Sequence, residues 1–420
     1  MEHLVLARKY RPQKFREVVE QQTAVQSLKN ALEHNRLGSA YLFFGPRGVG
    51  KTTIARILAK RVNCLNPQDG EPCDECESCK AILSGNSLDV IEIDAASHRG
   101  IQHIRELREN VQFQPMTGKK KVYIIDEVHM LTTESFNALL KTLEEPPAHV
   151  LFVLATTEYS KVPETILSRC QVFVFRKAPL KILQQHLKSL CEQENIAAED
   201  EALFWVARRG DGSVRDSLSF LEQAITFAGD KLTTEKVKEL TGSVPLDLFL
   251  ELTRNLLNQD GSLEELLRPV HEIFASGGDL DRFVWEFLDF LRIAVHIRKG
   301  IHEAEFLGLP GPEIHRVDEA LNNTDPVRLL TVFQSIYDLF KKTGAMQLRN
   351  SYETRVLIEM ELIDLRERLA RPSLSGVLQK LNKLSASIQQ GVPYSPESDL
   401  QKQFLGTMVD PGNAPNLDEA

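Results

Sequence analysis

Lys51 and Thr52 carry more chemistry in their spacing than any other pair in this sequence. They close Gly45-Pro46-Arg47-Gly48-Val49-Gly50-Lys51-Thr52, which fits G-x-x-x-x-G-K-[ST] at every fixed position. Gly45, Gly48 and Gly50 let the backbone bend so that its N–H groups face an anion, and a helix opening near Lys51 adds its positive end. The Lys51 ammonium can reach β- and γ-phosphates and the Thr52 hydroxyl can ligate Mg²⁺, while Pro46, Arg47, Val49 and Thr53 complete the cradle. A glycine-rich turn can be purely structural. Here, however, the apolar run Tyr41-Leu42-Phe43-Phe44 precedes it and a striped helical segment, Thr53 to Lys60, follows. The expected ligand is a nucleoside triphosphate.

Two carboxylates stand where such a site needs them. Lys121-Val122-Tyr123-Ile124-Ile125 reads as a strand ending in Asp126 and Glu127. Asp126 is placed to hold Mg²⁺ through water, and Glu127 to orient and deprotonate an attacking water. A further run, Val150 to Ala155, delivers the hydroxyls of Thr156 and Thr157 to a strand's carboxyl end, the edge where open parallel sheets bind ligands.

Four of the six cysteines form a second constellation, Cys64, Cys73, Cys76 and Cys79, in the spacing C-x8-C-x2-C-x2-C. Four thiolates bind Zn²⁺ tetrahedrally and leave no open position for a catalytic water. Asn66, Pro67, Gly70 and Pro72 are turn formers, so a metal is what would hold this excursion rigid. The expectation is a structural zinc site; iron–sulfur ligation and four uncoordinated thiols are the alternatives. Cys170 and Cys191 stand apart and read as small buried apolar residues.

Strands and helices must position these groups. Asp89 to Asp94 reads as another buried strand, after which Ala95-Ala96-Ser97 opens toward a helix. Strands alternating with helices, with the chemistry at strand ends, predict an α/β, doubly wound parallel core. From Ala178 to about Gly242 the pattern is helical, with stripes such as Leu183, His186, Leu187 and Leu190. Ser243-Val244-Pro245 breaks it, and helices alone follow to about Arg371. Pro372 onward has weak periodicity and reads as a largely flexible tail. The expected domains are therefore 1–178, with the cysteine module at about 64–79, then 179–242, 243–371 and the tail at 372–420.

A chain of 420 residues, 42% hydrophobic and 26% charged, has room for two or three cores. No apolar stretch approaches the ~20 residues of a membrane helix. The start lacks a signal peptide's apolar segment, so the expected compartment is the cytoplasm. A net charge of −9 excludes wholesale coating by a polyanion, so nucleic acid must meet a local basic surface.

The phosphate loop, DEVHML from Asp126, FNALLKTLEEPP (Phe136 to Pro147), LATTE and ILSRC (Ile166 to Cys170) occur in that order. Together with ARKYRP (Ala7 to Pro12) and the four cysteines, this order resembles the bacterial DNA polymerase III gamma/tau subunits, the ATPases of the sliding-clamp loader within the AAA+ superfamily. The resemblance runs from about Leu4 to about Gly242 and is weaker beyond. It implies an AAA+ core with a zinc insertion, a small helical lid and an all-helical collar, with ATP, Mg²⁺ and Zn²⁺ bound. Thr157 would be sensor 1, which feels the γ-phosphate. Arg169 would be an arginine finger reaching a neighbouring subunit's ATP. Arg215 would be sensor 2, acting on its own subunit's nucleotide, with a plain surface charge as the alternative. Guanidinium groups suit such roles because they stabilise charge spread over phosphoryl oxygens. Ala7, Tyr10, Arg11, Pro12, Val18 and Val19 would line the adenine.

For DNA, the helix opening near Ser97 carries Arg99 and Arg105, for which a solvated face is the alternative. Lys141 resembles a residue that links DNA contact to the catalytic glutamate. Phe113 and Met116 are expected in the core before an exposed tip that touches the clamp. The resemblance further implies ATP hydrolysis within the DNA polymerase III holoenzyme, a nucleotidyltransferase assembly, to open the clamp and load it on primer–template DNA. Partners would be delta- and delta-prime-like subunits, further copies of this chain, the clamp and DNA, with no membrane. The chain resembles the short form, without the parts that bind helicase and polymerase in longer relatives. The rival readings are another AAA+ nucleic-acid motor, such as a recombination ATPase, and an ATP-switched scaffold that binds without hydrolysing. The zinc insertion argues against the first, and Glu127 with Arg169 against the second.

Overall fold

The computed structural model describes residues 5–98, 100–258, 261–346 and 351–370; Arg99 and the expected tail at 372–420 lie outside them. The apolar runs form one parallel sheet: β1 (Ala40–Phe44), β2 (Val90–Asp94), β3 (Lys121–Asp126), β4 (Val150–Thr156) and β5 (Gln171–Val174). Their order is β2-β3-β4-β1-β5, and every pairing is parallel. The register places Phe44 opposite Thr156 and Asp94 opposite Asp126, so the carboxyl ends share one edge.

Both faces of the sheet are covered. Leu151, Val153 and Ala155 of β4 join one core, while Phe152 and Leu154 join the other. A central strand with two buried faces reads as a continuous apolar run rather than an alternating one. After α1 (Leu6–Lys9), α2 (Gln22–Glu33) and α3 (Lys51–Asn63) supply Leu28, Ile54 and Leu58 to the first core. α4 (Glu77–Leu83) follows the cysteine loop. α5 (Ile101–Val111) and α6 (Thr133–Glu144) supply Leu107, Phe136 and Leu139 to the second core, and α7 (Glu164–Leu167) leads into β5.

Four helices then enclose a core of their own, built on Leu187, Val206, Leu221 and Val237. They are α8 (Leu180–Gln193), α9 (Asp200–Arg209), α10 (Val214–Ala228) and α11 (Thr234–Thr241). The amino-terminal turn docks on them: Leu6 N–H donates to Glu222 Oε2 at 3.2 Å, and Lys9 and Tyr10 both donate to Glu194.

Helices complete the described chain: α12 (Leu246–Leu257), α13 (Leu263–Ala275), α14 (Leu280–Arg298), α15 (Ala304–Leu307), α16 (Gly311–Ala320), α17 (Pro326–Met346) and α18 (Ser351–Ala370). The molecule divides into two compact units. One holds the described residues of Met1–Ser243 and His302–His315, the other those of Val244–Ile301 and Arg316–Ala420. In the first, Glu313 pairs with Lys238, whose ammonium also lies 5.2 Å from the Trp205 ring centroid. The second is centred on aromatic stacking, with Phe249 at 5.6 Å from both Phe287 and Phe290. Among the described residues no helix is long and apolar enough to cross a membrane.

Candidate functional site

β1 ends at Phe44, and the chain turns through Gly45–Gly50 into α3. Gly48 has a φ of +74°, and a Cβ on it would stand 2.0 Å from Ser213 Oγ. Only glycine admits both this left-handed turn and the close approach of α10. The approach is fixed by the Arg215 N–H, which donates to Gly48 O at 3.3 Å. Gly50, at φ +102°, is the N-cap of α3. Lys51 opens that helix, is only 5% exposed, and donates to the Gly45 and Pro46 carbonyls at 2.8 and 2.7 Å. Burial lowers the pKa of its ammonium, an effect that Glu127 and Asp126 oppose.

From the neighbouring strand comes the acidic half of the site. Thr52 Oγ1 donates to Asp126 Oδ2 at 2.7 Å, which sets hydroxyl and carboxylate side by side, the donor set that suits Mg²⁺ beside phosphates. Glu127 follows at φ +48°. A left-handed backbone costs a residue with a side chain on the order of 1–3 kcal/mol and persists where surrounding contacts over-determine it. Here they do. Glu127 Oε2 accepts from Thr157 Oγ1 at 2.9 Å and from Thr157 N–H at 3.2 Å. His129 Nδ1 lies 3.4 Å from that same oxygen and 3.0 Å from Thr156 Oγ1, and its Nε2 is 3.2 Å from Glu158 Oε1. Phosphate loop, cation ligands and a fixed carboxylate thus converge on one sheet edge, a set able to hold a triphosphate and activate a water against it.

The remaining expected residues fall in several places. Arg215 stands exposed in the first turn of α10. The pKa of Arg11 is lowered by burial and by Arg56 and Arg215, while Glu92 and Asp126 oppose this. Arg11 therefore sits among the charges of the phosphate side. Ala7 and Tyr10 pack on the core of α8–α11, Val18 packs on the sheet core, and Pro12 and Val19 are partly buried. Arg169, just after α7, donates to Glu144 Oε1 at 2.6 Å, Thr165 O at 2.8 Å and Ser168 Oγ at 3.2 Å. None of those partners belongs to the Lys51–Glu127 group. Arg105 and Lys141 are exposed on α5 and α6, which pack side by side.

Phe113 and Met116 correct the expectation of burial: they are 64% and 74% exposed. The cause is Asp89. Its carboxylate accepts from the N–H groups of Met116, Thr117 and Gly118 at 2.6, 2.8 and 2.7 Å, which fixes the turn facing outward. Burial tends to raise the Asp89 pKa, but these donors outweigh it and hold the carboxyl below its usual range.

At the cysteine loop, the four Sγ atoms lie within 4.8 Å of one another, and none is in a disulfide. Backbone N–H groups of Cys73, Cys76 and Cys79 donate to the sulfurs of Cys64, Cys73 and Cys76 at 3.3, 3.4 and 3.5 Å. The Cys76 and Glu75 N–H groups hold the Cys73 thiol down to about 6, whereas burial pushes Cys64 and Cys79 up. Four converging sulfurs bridged by N–H donors, one already acidic, fit a tetrahedral zinc ion. Cys170 is different: burial pushes its thiol up to about 12.

Sequence reasoning missed four residues. His129 could have been found, since it lies three positions after Asp126 in the same motif. Gln21 offered no signal; its Nε2 donates to Arg176 O at 2.7 Å and Val49 O at 3.4 Å, and its Oε1 accepts from Arg176 N at 3.1 Å. Glu144 and Glu71 likewise act through partners remote in sequence.

Comparison with known proteins agrees with this geometry. The family described as "DNA polymerase III, delta subunit" matches residues 20–179, and that described as "DNA polymerase III clamp loader subunit, ATPase lid domain" matches residues 182–230. The DNA polymerase III subunit tau/gamma of Haemophilus influenzae is 47% identical over 286 residues, 68% of this chain and 41% of that protein. The DNA polymerase III subunit tau of Bacillus subtilis is 36% identical over 397 residues, 93% of this chain and 69% of that protein. The chain thus spans less than half of the Haemophilus relative's length. Among solved structures, the Thermotoga maritima RuvB Holliday junction branch migration motor is 19% identical, with a TM-score of 0.42 over 75% of this chain and 91% of that one; that likeness is too slight to bear on function. A phosphate loop beside a helical lid, a glutamate held by a strand-end threonine, and 36% identity to the Bacillus protein over 93% of this chain and 69% of that protein together make this chain a member of the DNA polymerase III gamma/tau family.

Proposed function

We propose that this chain is an ATP-hydrolysing motor subunit of a bacterial clamp loader within the DNA polymerase III holoenzyme. The carrying observation is Glu127, bound through one oxygen by Thr157 and set beside the Thr52–Asp126 pair. On this reading the triphosphate lies in the Gly45–Gly50 loop, and Lys51 exchanges its loop carbonyls for the β- and γ-phosphates. Mg²⁺ bound at Thr52 and Asp126 would neutralise phosphate charge. Glu127 takes a proton from the water that attacks the γ-phosphorus, and Thr157 fixes the angle at which it does so. Val18 and Val19 flank the adenine. Arg215 meets the nucleotide of its own chain, and Arg169 that of a neighbour. Cys64, Cys73, Cys76 and Cys79 hold zinc, which closes their loop and takes no part in hydrolysis.

The proposed organisation is a core at 1–178, a lid at 179–242 and a collar at 243–371 through which subunits assemble. Delta- and delta-prime-like subunits, further copies of this chain, the clamp and primer–template DNA are the partners, in the cytoplasm. Arg105 and Lys141, with Arg99, would face DNA. Hydrolysis measured with partner subunits, clamp and primed DNA, each omitted in turn, tests this. The rate should be greatest with all present and fall on every omission. A rate indifferent to clamp and partners would turn the reading toward an unrelated AAA+ motor, and no hydrolysis in any mixture toward a scaffold.

A further inference from the structure

The cysteine loop does more than close on itself: its carboxylates reach back to the start of the sheet domain. Glu71, two residues before Cys73, is only 7% exposed. Its Oε2 accepts from the Phe15 N–H at 2.6 Å, and its Oε1 accepts from the Arg16 N–H at 3.1 Å and from Lys29 Nζ at 2.6 Å. Asp74, just after Cys73, pairs with Lys60 at 2.5 Å. Lys60 is 2% exposed and also donates to Gln13 O at 3.1 Å and Gln13 Oε1 at 3.0 Å. Two acids flanking one sulfur ligand are therefore fastened to residues 13–16.

Within that segment the Glu17 carboxylate accepts from the Gln13 and Lys14 N–H groups at 2.8 and 3.3 Å, so its remaining ties to the body run through Phe15, Lys14, Lys60 and Glu71. Phe15 is buried in the sheet core, and a single 3-10 turn at Phe15–Glu17 leads directly into Val18 and Val19. Gln21 then anchors the path to Val49 of the phosphate loop and to Arg176. Of the charged anchors on this segment, the Glu71 carboxylate is the one that holds the backbone N–H groups of Phe15 and Arg16, the residues that lead into Val18 and Val19. A buried carboxylate with two N–H donors and an ammonium is a strong fixed point, and its loss leaves those donors unpaired.

We propose that Glu71 is a positioning residue for the nucleotide base. The metal-closed loop holds Glu71 in place, and Glu71 holds the Phe15–Arg16 backbone from which Val18 and Val19 continue. This rests on the proposed placement of those two valines against adenine. The triphosphate is gripped by a different element, so loss of the anchor should weaken recognition of the base and spare recognition of the phosphates.

The test compares affinities for ATP and for inorganic tripolyphosphate in the full chain, with metal content measured alongside. Glu71→Gln should keep one zinc per chain and bind ATP about tenfold more weakly, while tripolyphosphate affinity stays within about twofold. Amide exchange at Phe15 and Arg16 should quicken in the same variant. Stripping zinc from the unsubstituted chain should reproduce the split between the two ligands. Should Glu71→Gln fail to fold, Lys29→Met removes one of the three donors from outside the loop and should give a smaller loss for ATP alone. Unchanged ATP affinity in a zinc-loaded Glu71→Gln chain overturns the proposal, as do equal losses for both ligands, which would make Glu71 a support of the whole domain. If the unsubstituted chain binds ATP no more tightly than tripolyphosphate, the base-lining reading itself falls, a result distinct from the other two.

Discussion

Glu127 and Arg169 are both charged groups that hydrolysis of a phosphoanhydride would use, yet the molecule holds them in opposite ways. Glu127 is strained in backbone and fixed in side chain by Thr157, with His129 behind it, all beside the phosphate loop. Arg169 has an exposed partner, Glu144, and otherwise bonds only to its own turn. An exposed arginine–glutamate pair is worth about 0–1 kcal/mol, so the guanidinium can leave Glu144 for a stronger anion at little cost. A side chain restrained at a site acts there; one parked on a weak, exposed partner is available to something outside its own chain. The proposal gives Glu127 a role on its own chain's nucleotide and Arg169 a role on a neighbour's, and this difference in restraint is what supports that division.

The largest effect should come from the restrained member. Glu127→Gln keeps shape but cannot take a proton, so turnover by the assembled loader should fall ~10²–10⁴-fold, with ATP still bound. Single-turnover hydrolysis alongside equilibrium binding measures both. A full rate in this variant would remove Glu127 from the chemistry and leave its strain unexplained.

Arg169→Ala should follow, lowering stimulated hydrolysis by ~10²-fold or more while the same chain binds ATP normally. Mixed assemblies sharpen the contrast. A subunit lacking Arg169 should silence a neighbour's site, whereas one lacking Lys51 should silence its own. An isolated chain that hydrolyses at full rate and loses that rate on Arg169→Ala would place the finger in cis and erase the distinction.

Lys51→Ala bears on binding rather than turnover. On the proposed reading, removal of the Lys51 ammonium should weaken ATP binding at least ~10-fold, or about 1.4 kcal/mol, with the fold intact. Isothermal titration against the unchanged chain is the measure; equal affinity would put the nucleotide elsewhere.

What could be read from sequence and what could not divides along physical lines. The parallel core was legible because β1, β3 and β4 are buried on both faces and so read as unbroken apolar runs. The phosphate loop was legible because its glycines and lysine act at fixed local spacing. Glu71, Gln21 and Glu144 were not, since each does its work across 25 or more residues, through partners that only the fold brings near: |i−j| is 56 for Glu71 with Phe15, 155 for Gln21 with Arg176 and 25 for Glu144 with Arg169. Phe113 and Met116 misled for a related reason. Apolar residues near a helix end usually turn inward, and the carboxylate that holds the turn at Met116, Asp89, lies 27 positions before it.

The smallest expected effect on phosphate binding and hydrolysis concerns the cysteine loop, the region least like the phosphate site. There lysine, hydroxyl and carboxylates come from separate elements to one sheet edge; here four sulfurs of one short loop lie within 4.8 Å of one another. Zinc bound by Cys64, Cys73, Cys76 and Cys79 should show an all-sulfur shell at about 2.3 Å by X-ray absorption, one ion per chain. Cys76 is both one of the four converging sulfurs and the N-cap of α4, accepting from the Cys79 N–H. Cys76→Ser keeps a capping oxygen while it removes a sulfur, so its effect isolates the metal from the helix end. Metal binding in such a loop is local folding energy. The variant should therefore lose zinc and melt a few degrees lower, at ~2–4 °C per kcal/mol for a unit of 150–250 residues. Binding of the triphosphate moiety should survive, because Lys51 and the glycine loop are held by α3 and α10 rather than by the cysteines. Oxygen or nitrogen in the metal shell, or no metal at all, would defeat the structural-site reading. Loss of tripolyphosphate binding together with the zinc would show that the loop supports the phosphate cradle itself, and the contrast between the two regions would then collapse into a single cooperative site.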